Sequence, residues 1–428
     1  VVKWGIILKG ENINNIHLVL KKMLWTSLIV FIFLIGRNIL IPGVDAKQLA
    51  RFLNNQYLLQ IVNGTTGGDL SRMSLFALGL GPWMSATILW RVLTLIKKFD
   101  LKKIPIESTF LFKIAIAIII GFIQSIAIIS NIDINPKISI FAQTQFGAMA
   151  TISLIMVSGA VFLVWLSNMN EILGIGGPTV LILASMIINW PTNVSLYILE
   201  NVRSGLDINS VILMLVIMIS IVFLVLLTVV VQRAQRQIPI RRILVNNNFY
   251  QQSYLPIQIN PAGGMPLMYS MTLLVLPQYI LQAVHYWLPN NVLVENGLDN
   301  IAITKPLGVT AYIIILFALS IGFAFININP DQIAEDLQQN SDYIDNVEPG
   351  DATREYITEI VFRLSFVGAL YMSLIAGFPL YFGIIDKQYT QYALTAGSII
   401  ILVNLVINII DQMKALLTKN NYSALFFE

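Results

Sequence analysis

The stretch from Gly64 to Trp90, GTTGGDLSRMSLFALGLGPWMSATILW, begins as polar, glycine-rich chain and ends as an apolar run. Three glycines surround two threonines before Asp69, and the Gly81-Pro82 pair interrupts the apolar part. Polar backbone at membrane depth is tolerated only where protein covers it or water reaches it. The stretch therefore predicts a segment that lines or blocks a cavity. The alternative is an ordinary external loop followed by an ordinary spanning helix.

The composition places this stretch in a membrane protein. Of 428 residues, 56% are hydrophobic and only 11% are charged, whereas a typical soluble domain has about 25% charged residues. Such a chain is expected to cross a bilayer many times. The absence of cysteine excludes disulfides, thiolate metal sites and a cysteine nucleophile. Because residues 1–22 are polar and the first long apolar run starts near Met23, no cleavable signal peptide is expected.

Ten apolar runs have the length of about 20 residues that a bilayer core requires. They cover residues 23–42, 74–96, 109–130, 146–167, 178–200, 209–231, 262–286, 307–328, 361–384 and 391–411. The sequence thus predicts an all-α polytopic membrane protein with ten transmembrane helices.

The distribution of lysine and arginine sets the expected orientation. With the N-terminus inside, eighteen of the 26 basic residues fall in cytosolic segments and Arg37 falls in the first span. The external segments hold only Lys47, Arg51, Arg72, Lys137, Arg203, Lys305 and Lys387. This asymmetry predicts that both termini are cytosolic.

The polar connections between the spans differ in length and character. Residues 1–22 form an amphipathic stretch that predicts a helix on the cytosolic membrane surface. Two long cytosolic loops, 232–261 and 329–360, are too polar for the membrane and too short to be domains. Long ordered loops on one face are typical of partner-binding surfaces.

Side chains suited to catalysis or ion coupling are rare in the spans. The histidines, His17 and His285, fall near opposite ends of the expected fold. Arg37 lies near the outer end of the first span, where it is expected to extend toward the headgroups. Gln124 and Asn404 are uncharged polar residues deep in spans. A secondary transporter is the rival hypothesis, but ion coupling normally uses midplane charges that the spans lack.

Several segments together resemble one family, SecY, the channel subunit of the bacterial protein-translocation machinery. The similarity is collinear over nearly the whole chain. The segments are IPGVD at 41–45, GGDLSRMSLFALGLGPWMSATILW at 67–90, GIGG at 174–177, AQRQIPIRR at 234–242, LPIQINPAGGMP at 255–266, NPDQIAEDL at 329–337, EPGDATREYI at 348–357, FRLSFVGALYMSLIAGFP at 362–379 and DQMKAL at 411–416.

The resemblance implies two pseudo-symmetric five-helix halves, 23–200 and 201–428, around a pore that a ring of apolar side chains constricts. It also implies a plug at about 58–70 that closes the outer funnel, and a lateral gate near Gln124. The ring positions carried over are Leu80, Met84, either Ile182 or Leu183, Met268, and either Ile401 or Asn404. The plug positions carried over are Leu58, Asn63, Gly64, Gly67 and Gly68.

The resemblance further implies that the two cytosolic loops bind an ATPase motor, SecA, which supplies the energy. The residues carried over to this role are Arg233, Arg236, Arg241, Arg242, Glu348 and Arg354. Glu348 departs from the family, which normally has a basic residue before this Pro-Gly pair, and the surrounding loop is acidic. A reversed charge favours a different partner surface. This pattern resembles an accessory SecY, although a divergent housekeeping SecY is the alternative.

The accessory members of the family resemble this chain in working with a dedicated SecA-like motor and in exporting serine-rich, glycosylated adhesins. The partners implied are that motor, small SecE/SecG-like membrane subunits, preproteins with signal sequences and the lipid bilayer of a bacterial cytoplasmic membrane. No nucleic acid, metal, cofactor or catalytic activity is expected. Preproteins are expected to pass unfolded across the membrane or laterally into it.

Overall fold

The apolar runs form helices in the computed structural model, which describes residues 2–43, 64–70, 73–95, 105–130, 132, 144–189, 208–242, 253–288, 291–385 and 387–423. The helices of the first part are α1 (Val2–Asn38), α2 (Gly81–Leu95), α3 (Ile106–Ile129), α4 (Gln145–Leu173), α5 (Pro178–Asn189) and α6 (Ile208–Arg233). Those of the second part are α7 (Met265–Trp287), α8 (Val292–Ile301), α9 (Pro306–Asn327), α10 (Pro330–Gln339), α11 (Asp351–Met372), α12 (Phe382–Ile385) and α13 (Lys387–Ser423). A π-helical turn, Ser373–Gly377, and a 3-10 turn, Phe378–Tyr381, connect α11 to α12.

Seven helical segments of the described chain are long and apolar enough to cross a membrane. They are Val19–Asn38, Glu107–Ile129, Gln145–Leu173, Met265–Trp287, Pro306–Gln339, Asp351–Ile385 and Ala393–Leu417. Each overlaps one of the ten predicted spans. The other three predicted spans overlap α2, α5 and α6, of which the described apolar parts are shorter. The chain is therefore a helical protein with several membrane-spanning segments, while the number ten and the cytosolic termini stay predictions.

The helix α2 is shorter than the span that the sequence predicts over 74–96. Of the residues 74–95, the helix comprises only Gly81–Leu95. The preceding residues turn instead of extending the helix, because Gly79 adopts a left-handed backbone with φ +58°. The amide of Leu80 then donates to the carbonyl of Thr66 at 2.8 Å. The non-helical chain before α2 is thus paired with protein, as polar backbone in a membrane requires.

The amphipathic stretch and the first predicted span form one helix. The helix α1 runs from Val2 to Asn38, so the amphipathic stretch from residue 2 to 22 and the apolar run that follows belong to one helix. The placement of residues 1–22 on the cytosolic membrane surface stays a prediction.

The GIGG motif at 174–177 forms the turn between α4 and α5. Gly176 and Gly177 have φ of +82° and +49°. The side-chain amide of Asn170 donates to the carbonyls of Ile175 and Gly177, at 3.0 and 2.8 Å. The motif therefore reverses the chain direction at the end of α4.

The two long polar loops contain a sheet, which the prediction of an all-helical fold missed. Strand β1 (Gln235–Arg242) pairs antiparallel with β2 (Tyr254–Gln258) and with β3 (Asp342–Ile344), giving the order β2-β1-β3. In the β1–β3 register, Ile240 faces Ile344 and Arg242 faces Asp342. The loop after α6 and the loop after α9 are therefore joined by backbone hydrogen bonds.

The chain forms two compact units. The first comprises Val1–Ser210, Val275–Asp299 and Leu405–Glu428, and its core contains Phe76 stacked between Phe33 and Phe162 with centroid distances of 6.0 Å. The second comprises Val211–Leu274 and Asn300–Asn404, and its core contains the stacked rings of Tyr269 and Phe323. The halves 23–200 and 201–428 stay a prediction.

The topology can be tested with two matched asparagines, because the chain contains no cysteine. Asn296 on α8 and Asn340 after α10 are both exposed, and the ten-span arrangement puts the first outside and the second in the cytosol. A membrane-impermeant maleimide applied to intact cells is expected to label Asn296→Cys and to leave Asn340→Cys unlabelled. Both variants should react after permeabilisation. Labelling of position 340 in intact cells would contradict the arrangement.

Candidate functional site

The described part of the predicted plug, Gly64–Leu70, is named here the plug segment. Leu58 and Asn63, also predicted to belong to the plug, lie outside the described residues. The plug segment is buried although it is polar, since Thr65, Thr66 and Asp69 are 2%, 1% and 6% exposed. Protein therefore covers this backbone, while the prediction that the stretch lines or blocks a cavity stays a prediction.

The start of α2 holds one side of the plug segment. Besides the hydrogen bond from Leu80 to Thr66, Gly79 lies directly against Gly68. A Cβ added to Gly79 would lie 2.3 Å from the backbone nitrogen of Gly68. Only glycine fits there, because both the left-handed backbone and the close approach exclude a side chain.

The helix α5 holds another side of the plug segment. The hydroxyl of Ser185 donates to the carbonyl of Gly68 at 3.3 Å. A Cβ added to Gly67 would lie 3.9 Å from Cγ1 of Ile182, whereas Leu183 is half-buried. Ile182, one of the two ring candidates on α5, therefore lies beside the plug segment.

Arg37, in the last turn of α1, was expected to extend toward the headgroups, and that expectation is wrong. The guanidinium is buried and donates twice to Oδ2 of Asp69, from Nη2 at 2.8 Å and from Nε at 3.0 Å. Nη2 also donates to the side-chain oxygen of Asn189, the last residue of α5. Arg37, Asp69 and Asn189, named here the Arg37 cluster, thus connect α1, the plug segment and α5. The sequence signal that could have predicted this contact is that Arg37 and Asp69, which carry opposite charges, are both expected near the outer face of the membrane.

Gln124, the predicted lateral-gate residue, lies beside the plug segment. It is 4% exposed on α3, and its Oε1 would lie 3.8 Å from a Cβ added to Gly81. The same added Cβ would lie 3.9 Å from Cβ of Thr66. Gln124, Gly81 and Thr66 therefore form one contact at the start of α2. The gate role of Gln124 stays a prediction.

The remaining ring candidates are buried in their own units. In the first unit, Leu80 and Met84 are 1% and 7% exposed. In the second unit, Met268, Ile401 and Asn404 are likewise buried. The side-chain nitrogen of Asn404 donates to the carbonyl of Ile400 at 2.8 Å, so its own helix satisfies that group. The assignment of these residues to a pore ring stays a prediction.

The predicted motor-binding residues belong to the sheet and the helices around it. Arg233 ends α6, Arg236 is exposed on β1, and Arg242 is the last residue of β1. Arg241 pairs with Asp345 at 2.6 Å, and the charge of Asp345 raises the pKa of Arg241.

Arg354, on the first turns of α11, pairs with Asp331 of α10 at 2.6 Å. A cleft between these helices is lined by Asp331, Ala334, Glu335, Gln338, Pro349, Gly350, Asp351 and Arg354. Three carboxylates against one arginine make this cleft acidic. Glu348 lies exposed beside it, and its backbone carbonyl accepts from Thr353 Oγ1 at 2.7 Å.

The described residues form a buried plug segment and charged loop surfaces, and they include few side chains suited to catalysis. Within the described part of the chain, no three His, Asp or Glu side chains come close enough together to hold a metal ion. The roles of the plug segment in closing a passage and of the charged loops in binding a partner stay predictions.

Comparisons with known proteins identify the family. The model of the SecY family matches residues 74–410. The accessory Sec system protein translocase subunit SecY2 of Leuconostoc gelidum subsp. gasicomitatum is 99% identical, covering 98% of this chain and 100% of the relative. The SecY2 subunits of Streptococcus gordonii and Streptococcus sanguinis are 37% and 36% identical, over 96% and 95% of this chain and 98% of each relative.

Solved structures share the fold at low sequence identity. A protein-conducting channel superposes with a TM-score of 0.69 at 14% identity, covering 96% of this chain and 95% of the other. Sec61 from a canine ribosome–channel complex gives a TM-score of 0.64 at 14% identity, with the same coverage. The chain therefore belongs to the SecY family, in its group of accessory Sec translocase subunits.

Proposed function

We propose that this chain forms the channel of an accessory Sec translocase, which passes unfolded preproteins across a bacterial cytoplasmic membrane or laterally into it. The observation that carries the proposal is the similarity to accessory SecY2 subunits along nearly the whole chain, at 36–37% identity for the streptococcal proteins. A housekeeping SecY is disfavoured because these relatives are accessory subunits.

The geometry of the plug segment supports a closed channel. Hydrogen bonds from Leu80 and Ser185 hold its backbone, and Ile182 packs beside it. A mobile segment covered by apolar side chains can seal a pore against ions and still leave when a polypeptide enters. In this proposal Leu80, Met84, Met268, either Ile182 or Leu183, and either Ile401 or Asn404 form the constriction, and Gln124 lies at the lateral gate.

The charged loops support a partner that supplies energy. In the second unit the sheet carries the exposed Arg236, and the acidic cleft carries Arg354 with Glu348 beside it. We propose that a dedicated SecA-like ATPase binds there. Small SecE/SecG-like subunits complete the membrane complex, and the cargo is a serine-rich, glycosylated adhesin with a signal sequence.

The charge of Glu348 provides the test of the accessory role. Glu348→Arg is expected to weaken binding of the dedicated motor and to strengthen binding of a housekeeping SecA. The change is expected to be a few-fold and larger at low salt, because one exposed charge pair contributes about 0–1 kcal/mol. The hydrogen bond from Thr353 remains possible in the variant, since it uses the backbone carbonyl. Motor affinity for the reconstituted channel is measured across a salt series with both motors.

Glu295→Arg on α8 is the matched control. It makes the same charge change at an exposed position that the predicted topology places on the opposite side of the membrane. It should leave both affinities at the parent values. Equal motor preference in the parent channel, together with no shift for Glu348→Arg at low salt, would contradict the accessory assignment of this surface.

A further inference from the structure

The Arg37 cluster joins three separate elements through charged groups that lie away from solvent. The side chains of Arg37 and Asp69 are 7% and 6% exposed, and two guanidinium nitrogens donate to one carboxylate oxygen. Asn189 of α5 accepts a further hydrogen bond from the same guanidinium. Arg37 belongs to the last turn of α1, whereas Asp69 belongs to the plug segment.

The surroundings make the two charges dependent on each other. A buried ionised group is tolerated when a partner compensates it, and removal of one partner leaves an uncompensated charge that strongly disfavours the structure. Loss of Arg37 would therefore leave the buried carboxylate of Asp69 without this compensating charge and would weaken its hold in the closed position. Conversely, departure of the plug segment would leave the guanidinium of Arg37 without its carboxylate.

We infer that Arg37 is a positioning residue that retains the plug segment in the closed channel through Asp69, with Asn189 fixing the orientation of the guanidinium. Opening breaks the Arg37–Asp69 pair, and closure re-forms it. The inference rests on the proposed function, because it assigns a closing role to the segment that carries Asp69.

The test compares single replacements with a paired replacement. In planar bilayers, Arg37→Met and Asp69→Asn are each expected to raise the resting ion conductance at least about ten-fold, since each leaves a buried polar group without its partner. The double variant Arg37→Met/Asp69→Leu should return to within about two-fold of the parent, because a well-packed apolar pair replaces a buried ion pair at little cost. The same double variant should translocate less, since its plug segment has no charge that water can solvate on release.

The exposed pair Arg363–Glu359 of α11 supplies the control, and Glu359→Gln should conduct as the parent does. If Arg37→Met does not fold, the conductance of the nearly isosteric Asp69→Asn variant is compared with that of the parent instead. A deletion of residues 64–68 separates this inference from the proposed function. If the deletion variant conducts ions at rest and both single variants stay sealed, the role of Arg37 is refuted, whereas the closing role of the plug segment is retained. If the deletion variant also stays sealed, both roles are refuted.

Discussion

A disulfide between cysteines placed at Thr66 and Gly81 is expected to lock the channel shut. A Cβ on Gly81 would lie 3.9 Å from Cβ of Thr66, close to the roughly 3.8 Å typical of a disulfide. No other cysteine competes, because the chain has none. The bond would tie the plug segment to α2, so that the fraction of channels able to open falls to the uncrosslinked fraction. With about 90% crosslinking, translocation should drop about ten-fold.

The measurement is preprotein transport into vesicles, after treatment with a membrane-permeable oxidant and again after reduction. Transport should recover with the reductant. Thr66→Cys and Gly81→Cys alone are the controls, and the oxidant should leave their transport unchanged. Full transport by the crosslinked double variant would show that the plug segment does not move away from α2 during translocation.

Gly79→Ala is expected to break the closed structure. The left-handed backbone alone costs an alanine about 1–2 kcal/mol. In addition, its Cβ would overlap the backbone of Gly68, 2.3 Å away, and neither chain can yield by rotating a side chain. We expect a loss of at least about 2 kcal/mol in the free energy of unfolding, and a conducting resting channel if the plug segment is displaced.

Gly322→Ala on α9 is the matched control, because nothing lies within 4 Å of a Cβ added there and alanine favours the helix. The two variants are compared by thermal unfolding in detergent and by resting conductance in planar bilayers. Equal stability and equal conductance for the two variants would contradict the close packing of Gly79 against Gly68.

Composition and local pattern predicted much of this fold. Long apolar runs predict where helices lie, since a helix needs about 20 apolar residues to cross the bilayer core. The polar residues Thr65 and Thr66 indicated that the segment would not face lipid, and both are buried in protein. The start of α2 was harder to predict. Residues 74–81, SLFALGLG, have the composition of an apolar helix, and only the structure shows the positive φ of Gly79.

Contacts between distant segments could not be predicted in the same way. A single arginine at a helix end is compatible with headgroup contact, and only the fold brings Asp69 within 2.8 Å of Arg37. Strand β3 has three residues, too few for a recognisable alternation, and its partner β1 is about a hundred positions earlier in the chain. The choice between Ile182 and Leu183 depends on a single-residue shift along a helix, which turns a side chain by about 100°.

The pairing of β1 with β3 has a mechanical consequence. Four helices, α6, α7, α9 and α11, end or begin at the two loops that this sheet joins. Because Ile240 and Ile344 are held in register by backbone hydrogen bonds, neither loop can be displaced alone unless those bonds break. A force applied to one loop is therefore transmitted through the β1–β3 hydrogen bonds to the other loop, and the ends of all four helices are mechanically coupled.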